Sequence, residues 1–153
     1  MSTGFPPAEQ PRPTLDDLVT GFVPFPADRA AEYRRAGYWT GRPLDSILDD
    51  AVRSAPDKPA VIDAATTLTF AELQTRAGRV AAALADLGIR PGERVLVQLP
   101  NSVQFAVALF GLLRAGAVPV MCLPGHRAAE MSHFAQVSGA VAVIIPDLIA
   151  GFD

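Results

Sequence analysis

QLPNSVQFAVALFGLLRAGAVPVMCLPGHRAAEM, residues 98–131, decides the fold. It reads as a strand end, a capped helix, a buried strand and a tight turn into another helix. Asn101 is the expected helix N-cap, with Gln104 three residues later completing a capping-box pattern. Residues 102–115 are apolar on most faces, which predicts a buried helix, and Gly116 ends it. Residues 118–123 form a continuous apolar strand. Pro119 lacks an N–H for a ladder, so it belongs at that strand's start or on a sheet edge. Residues 127–137 form the next helix, and residues 140–145 (AVAVII) another apolar strand, closed by Pro146 and Asp147.

Upstream, residues 94–99 (RVLVQL) are strand-like. From Arg94 onward the order is therefore strand–helix–strand–helix–strand with continuous apolar strands, which predicts an α/β fold: a parallel, doubly wound sheet covered on both faces. Before it, Thr69 and Glu72 match the capping box. Leu73, Ala77, Val80, Leu84 and Leu87 then keep helical period, and Gly88 closes that helix. Residues 60–63 and 68–69 form a small hairpin. Pro43 suits the first turn of a helix whose apolar face is Leu44, Ile47, Leu48, Ala51 and Val52.

Residues 27–36 favour helix, ended by Gly37. The adjacent Tyr38 and Trp39 are expected to pin their segment onto a neighbouring surface. Residues 21–26 are extended by Pro24 and Pro26, and residues 15–20 form one short helical turn. Pro6, Pro7, Pro11 and Pro13 mark the leading segment as mobile. The expected division is a flexible tail over residues 1–20 and one incomplete subdomain over residues 21–153.

Composition narrows the function. Half of the 153 residues are hydrophobic and 19% are charged, so a packed core is attainable and wholesale disorder is not expected. The net charge is −3 and the 13 Lys and Arg form no basic run, which argues against nucleic acid as a partner. The N-terminus lacks the pattern of a secretory signal. Residues 105–123 are mostly apolar, but Arg114, Pro119, Gly111 and Gly116 interrupt them, unlike a spanning helix of ~20 apolar residues. A soluble, cytoplasmic protein with no membrane partner is expected.

The chemistry-bearing residues are few. Cys122 is the single cysteine; it permits no intramolecular disulfide and no cysteine-based zinc site, and ending an apolar strand it reads as a small buried hydrophobe. The turn at residues 99–103 (LPNSV) contains no glycine, whereas a dinucleotide fingerprint needs glycines for the backbone to approach a pyrophosphate. Capping a helix is its expected task. His126 lies in PGHR, residues 124–127, after a strand's carboxyl end, where open α/β sheets bind ligands. A turn whose His126 and Arg127 cap or solvate the next helix is the favoured reading; contact of His126 with a ligand or neighbouring domain is the alternative.

His133, mid-helix beside Phe134, has no second ligand at metal spacing. Asp16, Asp17, Asp45, Asp49 and Asp50 are read as solvated faces, and no serine has a nucleophile-elbow context.

LTFAEL (residues 68–73) with LLRAGAVPVMCLP (residues 112–124) resembles the first two core motifs of the adenylate-forming, AMP-dependent synthetase and ligase superfamily. GFVPFP (21–26), EYRRAGYW (32–39), VQLPN (97–101) and LPGHR (123–127) look like the aryl-acid AMP ligases of siderophore biosynthesis, which take 2,3-dihydroxybenzoate or salicylate. The resemblance runs from Gly21 to Asp153, including IPD (145–147) and GFD (151–153).

The resemblance implies ATP- and Mg²⁺-dependent formation of an aryl-adenylate, then transfer of the aryl group to a carrier-protein thiol. The family's phosphate loop, aryl pocket, ribose-binding Asp and catalytic lysine lie downstream of the sequence present. Lys58, the single lysine, sits in a turn ahead of the first strand and does not match the catalytic one. No catalytic, cofactor-binding or metal residue is carried over. The expectation is an N-terminal portion of an aryl-acid–AMP ligase, inactive alone and binding no cofactor by itself. Its expected partners are the C-terminal remainder of the enzyme and an aryl carrier protein. The alternative is a non-catalytic interaction module or split-enzyme half that pairs with a separately encoded remainder. A small Rossmann-like oxidoreductase is a weaker third reading, opposed by the glycine-free turn.

Overall fold

The computed structural model describes residues 24–147. The helical turn expected at residues 15–20 and the division expected between residues 20 and 21 lie outside them. The chain divides into two compact units, Met1–Thr40 and Gly41–Asp153.

In the first unit, α1 (Ala27–Arg35) carries Asp28 in its first turn and Arg34 and Arg35 in its last, each sign suited to the helix dipole. Gly37, at φ 77°, turns the chain back so that Tyr38 and Trp39 both donate N–H to the Tyr33 carbonyl, at 2.9 and 3.2 Å. Trp39 packs at a tilt against Phe25 and edge-on against Tyr33, with ring centroids 5.0 and 5.5 Å away, and the Arg34 guanidinium lies 5.6 Å from its ring. The Tyr38–Trp39 pair thus folds onto its own unit, and Tyr38 remains largely exposed.

The second unit begins with α2 (Ser46–Ser54). Ser46 donates to the Pro43 carbonyl at 3.1 Å, so Pro43 lies in the turn ahead of the helix rather than in its first turn. The expected apolar face is correspondingly split. Leu48 is buried, with Ala51 and Val52 half-buried, while Leu44 and Ile47 face solvent. Leu44 precedes the helix, and Ile47, one residue from Leu48, is turned about 100° away from it.

β1 (Pro59–Ile62) and β2 (Thr67–Thr69) pair antiparallel, with Val61 opposite Leu68 and a bulge near Pro59. The Asp63 carboxylate accepts the N–H groups of Ala65 and Thr66 at 2.9 and 2.8 Å, closing the hairpin as an Asx turn. α3 (Phe70–Asp86) starts with the expected reciprocal cap: Thr69 Oγ1 accepts from Glu72 N, and Glu72 Oε2 from Thr69 N. Gly88, at φ 78°, follows its end.

β3 (Arg94–Val97), β4 (Val118–Met121) and β5 (Ala142–Ile144) form a parallel sheet in the order β4–β3–β5. α4 (Val103–Arg114) joins β3 to β4, and α5 (Ala128–Ser138) joins β4 to β5. The two crossovers run in opposite directions across the sheet. Right-handed crossovers therefore place α4 and α5 on opposite faces, the doubly wound arrangement. All four β3 residues are buried.

The Val118 and Cys122 N–H groups bond to the Glu93 and Val97 carbonyls, so alternate residues turn Pro119 to the open side of β4. Its missing N–H costs no ladder bond there and blunts the edge against other strands.

On one face, Leu84, Val95, Val97, Leu112 and Ala117 form a core between α3, α4 and the sheet. A second core, Leu48, Leu68, Leu73 and Val103, ties α2 and the hairpin to the same helices. On the opposite face α5 buries no residue fully. No helix among the described residues is long and apolar enough to cross a membrane.

Candidate functional site

The carboxyl ends of β3, β4 and β5 carry the segments from which a site in an open α/β sheet is built. Behind β4 lies the turn with His126. Its geometry comes from Gln98, a buried residue just past β3. Gln98 Nε2 donates to the carbonyls of His126 and Leu123 at 2.8 and 3.1 Å. A buried amide with two short bonds to one turn fixes that turn's shape.

Within the turn, Leu123 N donates to His126 Nδ1 at 3.0 Å, and His126 packs edge-on against Phe134 of α5 with centroids 4.9 Å apart. An accepting Nδ1 places the proton of the neutral ring on Nε2. Arg127 donates its N–H to Glu130 Oε2 at 2.9 Å, a bond that holds the Glu130 carboxyl below its ordinary range. His126 and Arg127 are thus folded into the turn and the head of α5, the favoured reading of PGHR.

The second region is a groove of about 630 Å³ where the carboxyl ends of β3 and β5 meet. In the order β4–β3–β5 this is the point at which successive connections diverge, the switch point that binds ligands in doubly wound folds. Leu99, Val80, Val107 and Ile144 supply its apolar lining; Arg76, Gln104 and Asp147 supply polar groups.

The head of α4 opens beside it, and its Val103 and Phe105 N–H groups are already engaged. Ser102 is the N-cap, its Oγ accepting from Phe105 N at 3.3 Å. This corrects the assignment of Asn101 and Gln104 as a capping box. The chain is extended at Ser102 and enters the helix one residue later than expected, so the hydroxyl reaches the third helical N–H. Asp63, forty residues upstream, supplies the other acceptor: its Oδ2 takes the Val103 N–H at 2.9 Å. That bond first, then the one from Ala65, hold the Asp63 carboxyl below its usual range, against a smaller opposing effect of desolvation. A protein carboxylate thus occupies the position where a helix N-terminus would receive a phosphate.

The acidic cluster on α2 also differs from expectation. Asp49 accepts from Gln74 Nε2 of α3 at 2.7 Å and pairs with Arg114 of α4, while Asp45 lies 3.5 Å from the same guanidinium. Gln74 chiefly, with Arg114, lowers the Asp49 carboxyl's pKa. These two aspartates join three helices and are not a solvated face. Arg114 is half-buried, and partial desolvation of a guanidinium favours the two counter-charges beside it. Asp50 alone behaves as expected, pairing near the surface with Arg42 and Arg53. Asp16 and Asp17 lie outside the described residues.

Cys122 is buried, and desolvation raises its thiol pKa, the opposite of a nucleophile's environment. His133 is exposed on α5. Lys58 sits on an exposed turn, its N–H bonded to the Ala55 carbonyl. Among the described residues no group of three or more His, Cys, Asp or Glu is arranged to hold a metal ion.

Comparison with known proteins adds what the geometry alone does not carry. The family model described as AMP-binding enzyme matches residues 48–152. The chain is 62% identical over 151 residues to a salicyl-AMP ligase / salicyl-S-ArCP synthetase of Mycobacterium tuberculosis, covering 95% of the chain and 27% of that relative. It is 41% identical over 136 residues to a 2,3-dihydroxybenzoate-AMP ligase of Bacillus subtilis, covering 89% of the chain and 25% of the relative. The apo structure of Mycobacterium smegmatis MbtA superposes with a TM-score of 0.80 at 65% identity, over 85% of this chain and 25% of that one. The chain spans about a quarter of the length of these relatives and aligns with their N-terminal portion.

Proposed function

The chain belongs to the AMP-binding enzyme family, and on that premise we propose that it forms the N-terminal portion of an aryl-acid–AMP ligase acting on salicylate or 2,3-dihydroxybenzoate. The observation that carries the reading is the 62% identity to a salicyl-AMP ligase over 151 residues. In the complete ligase an aryl carboxylate oxygen attacks the α-phosphorus of ATP and pyrophosphate leaves. The thiolate of a carrier protein then attacks the aryl-adenylate carbonyl and AMP leaves. ATP and Mg²⁺ are the family's reagents, and a cytoplasmic location suits a consumer of ATP.

The residues described here do not fit a triphosphate. The Val103 and Phe105 N–H groups at the head of α4 are bound to Asp63 and Ser102, and an incoming phosphate would meet the Asp63 charge. His126 Nδ1 is engaged by the Leu123 N–H, His133 is exposed on α5, and Lys58 stands on an exposed turn ahead of β1. The chain's part in the proposed enzyme is therefore scaffold: a doubly wound sheet whose carboxyl edge supports a site completed by the remainder of the ligase. The remainder and an aryl carrier protein are the proposed partners.

A chimaera in which this chain replaces the aligned N-terminal quarter of the M. tuberculosis relative tests the reading. Salicylate-dependent ATP–pyrophosphate exchange within about tenfold of the parent, ~1.4 kcal/mol of transition-state stabilisation, is the expected result. The isolated chain should show none. A folded chimaera without exchange, or exchange by the isolated chain, would overturn the proposal.

A further inference from the structure

Asn101, the single asparagine of the chain, is exposed, and the capping role its type suggests is taken by Ser102. The hydrogen bonds at this end of α4 go to the Val103 and Phe105 N–H groups. Among the described residues, neither the Asn101 side-chain amide nor the Ser102 N–H has a hydrogen-bond partner. Residues 101 and 102 form a bend ahead of the helix, with Ser102 extended at φ −150° and ψ 169°. Inside a helix a backbone nitrogen is tied to the carbonyl four residues back and turned away from the preceding side chain. Ser102 N is under no such restraint, and a small residue after an asparagine leaves its nitrogen open to reaction.

We infer that Asn101 is a site of spontaneous deamidation, and that its conversion loosens the head of α4. The Ser102 backbone nitrogen gives its proton to solvent base and attacks the Asn101 side-chain carbonyl carbon. The bond from that carbon to the amide nitrogen breaks, ammonia leaves, and a five-membered succinimide closes. Water then adds to one of the two ring carbonyls. The ring opens to aspartate, or to isoaspartate when the main chain is rerouted through the former side chain. Either product places a carboxylate at the helix end that Asp63 already serves. Isoaspartate also lengthens the main chain by a carbon directly before Ser102, whose Oγ caps Phe105 N at 3.3 Å. The inference needs only this chain and water, so it stands apart from the ligase reading.

The chain is aged in mildly alkaline buffer, folded and in parallel unfolded in urea. Conversion is followed by peptide mass spectrometry and by labelling with an isoaspartyl methyltransferase. The folded chain should convert at Asn101, chiefly to isoaspartate, at a rate within about tenfold of the unfolded chain, as expected where local opening suffices. Asn101→Gln, which would have to close a less favourable six-membered ring, should stay unconverted and melt with the parent, because Ser102 holds the cap. In the isoaspartyl form the Val103 and Phe105 amides should exchange about fivefold faster, the scale of a lost N-cap. Slower conversion of the folded chain than that bound overturns the inference. So does an Asn101→Gln chain that melts below the parent, which would show the Asn101 amide in use. Unchanged exchange at Val103 and Phe105 in the isoaspartyl form overturns the coupling to α4.

Discussion

The two crossover helices of the sheet have opposite fates. α4 buries Val103, Ala108, Gly111 and Leu112 and is clamped between the sheet and α3; α5 buries nothing completely and touches the sheet from outside. Their compositions differ in the same sense, VQFAVALFGLLR against the more polar AAEMSHFAQVS. The number of layers separates them as well. α4 has protein on two sides, and α5 on one. The comparison teaches that stability in this unit is concentrated on the α3–α4 face, while the α5 face and the strand carboxyl ends are free to meet other polypeptide.

The sharpest test sets one helix against the other. Leu112→Ala, at a fully buried position of α4, should cost about 2–5 kcal/mol in urea denaturation. Val137→Ala, on the exposed side of α5, should change stability by no more than about 0.5 kcal/mol. Equal losses would mean that the two faces are equally packed.

Two helical glycines sharpen the same contrast at the α3–α4 contact. A Cβ on Gly111 would lie 2.5 Å from Val80 Cγ1, so Gly111→Ala should destabilise by about 1–3 kcal/mol. A Cβ on Gly78 of α3 meets nothing within 4 Å, so Gly78→Ala should stabilise by about 0.5–1 kcal/mol through the reduced backbone freedom of the unfolded chain. Opposite signs in thermal melts confirm the packing; a shared sign refutes it.

Gly139, at the end of α5, has φ +60°, and a Cβ there would meet Arg94 Nη2 at 2.6 Å. Gly139→Ala should therefore cost about 1–2 kcal/mol, since a left-handed conformation is unfavourable for alanine. The loss should appear as faster amide exchange in the last turn of α5, with α4 unaffected.

The final prediction concerns the head of α4. Because hydrogen bonds in the native state depress the Asp63 pKa, its contribution is complete above the unfolded carboxyl pKa of about 3.9 and fades as pH falls through the lower native value. Asp63→Asn should be less stable than the parent at neutral pH, and the gap should close on acidification. A gap unchanged at the acid end would show that the charge is not what caps α4.

Local signals were legible wherever the physics was local. The Thr69–Glu72 cap, the left-handed glycines at 37, 88 and 116 and the hairpin all involve residues within a few positions of one another. The edge position of Pro119 followed from its missing N–H. Local pattern carries no signal where a distant group competes. Asn101 and Ser102 are both good N-caps by type, and where the chain enters α4 favoured Ser102. Asp45 and Asp49 resemble any solvated pair until Arg114, 65 residues beyond Asp49, is brought beside them. Asp63 showed nothing in its neighbourhood that anticipated its bond to Val103.

By itself the sequence determined the order of strands and helices, the ends of most of them and the family, because periodicity, capping and motif are written over short stretches of chain. Only the tertiary structure decided that β3 is central, that Gln98 shapes the His126 turn, and that Asp63 closes the head of α4 beside an open groove. Each of these depends on contacts between residues 25 to 50 positions apart, whose formation is a property of the packed chain and has no local pattern to read.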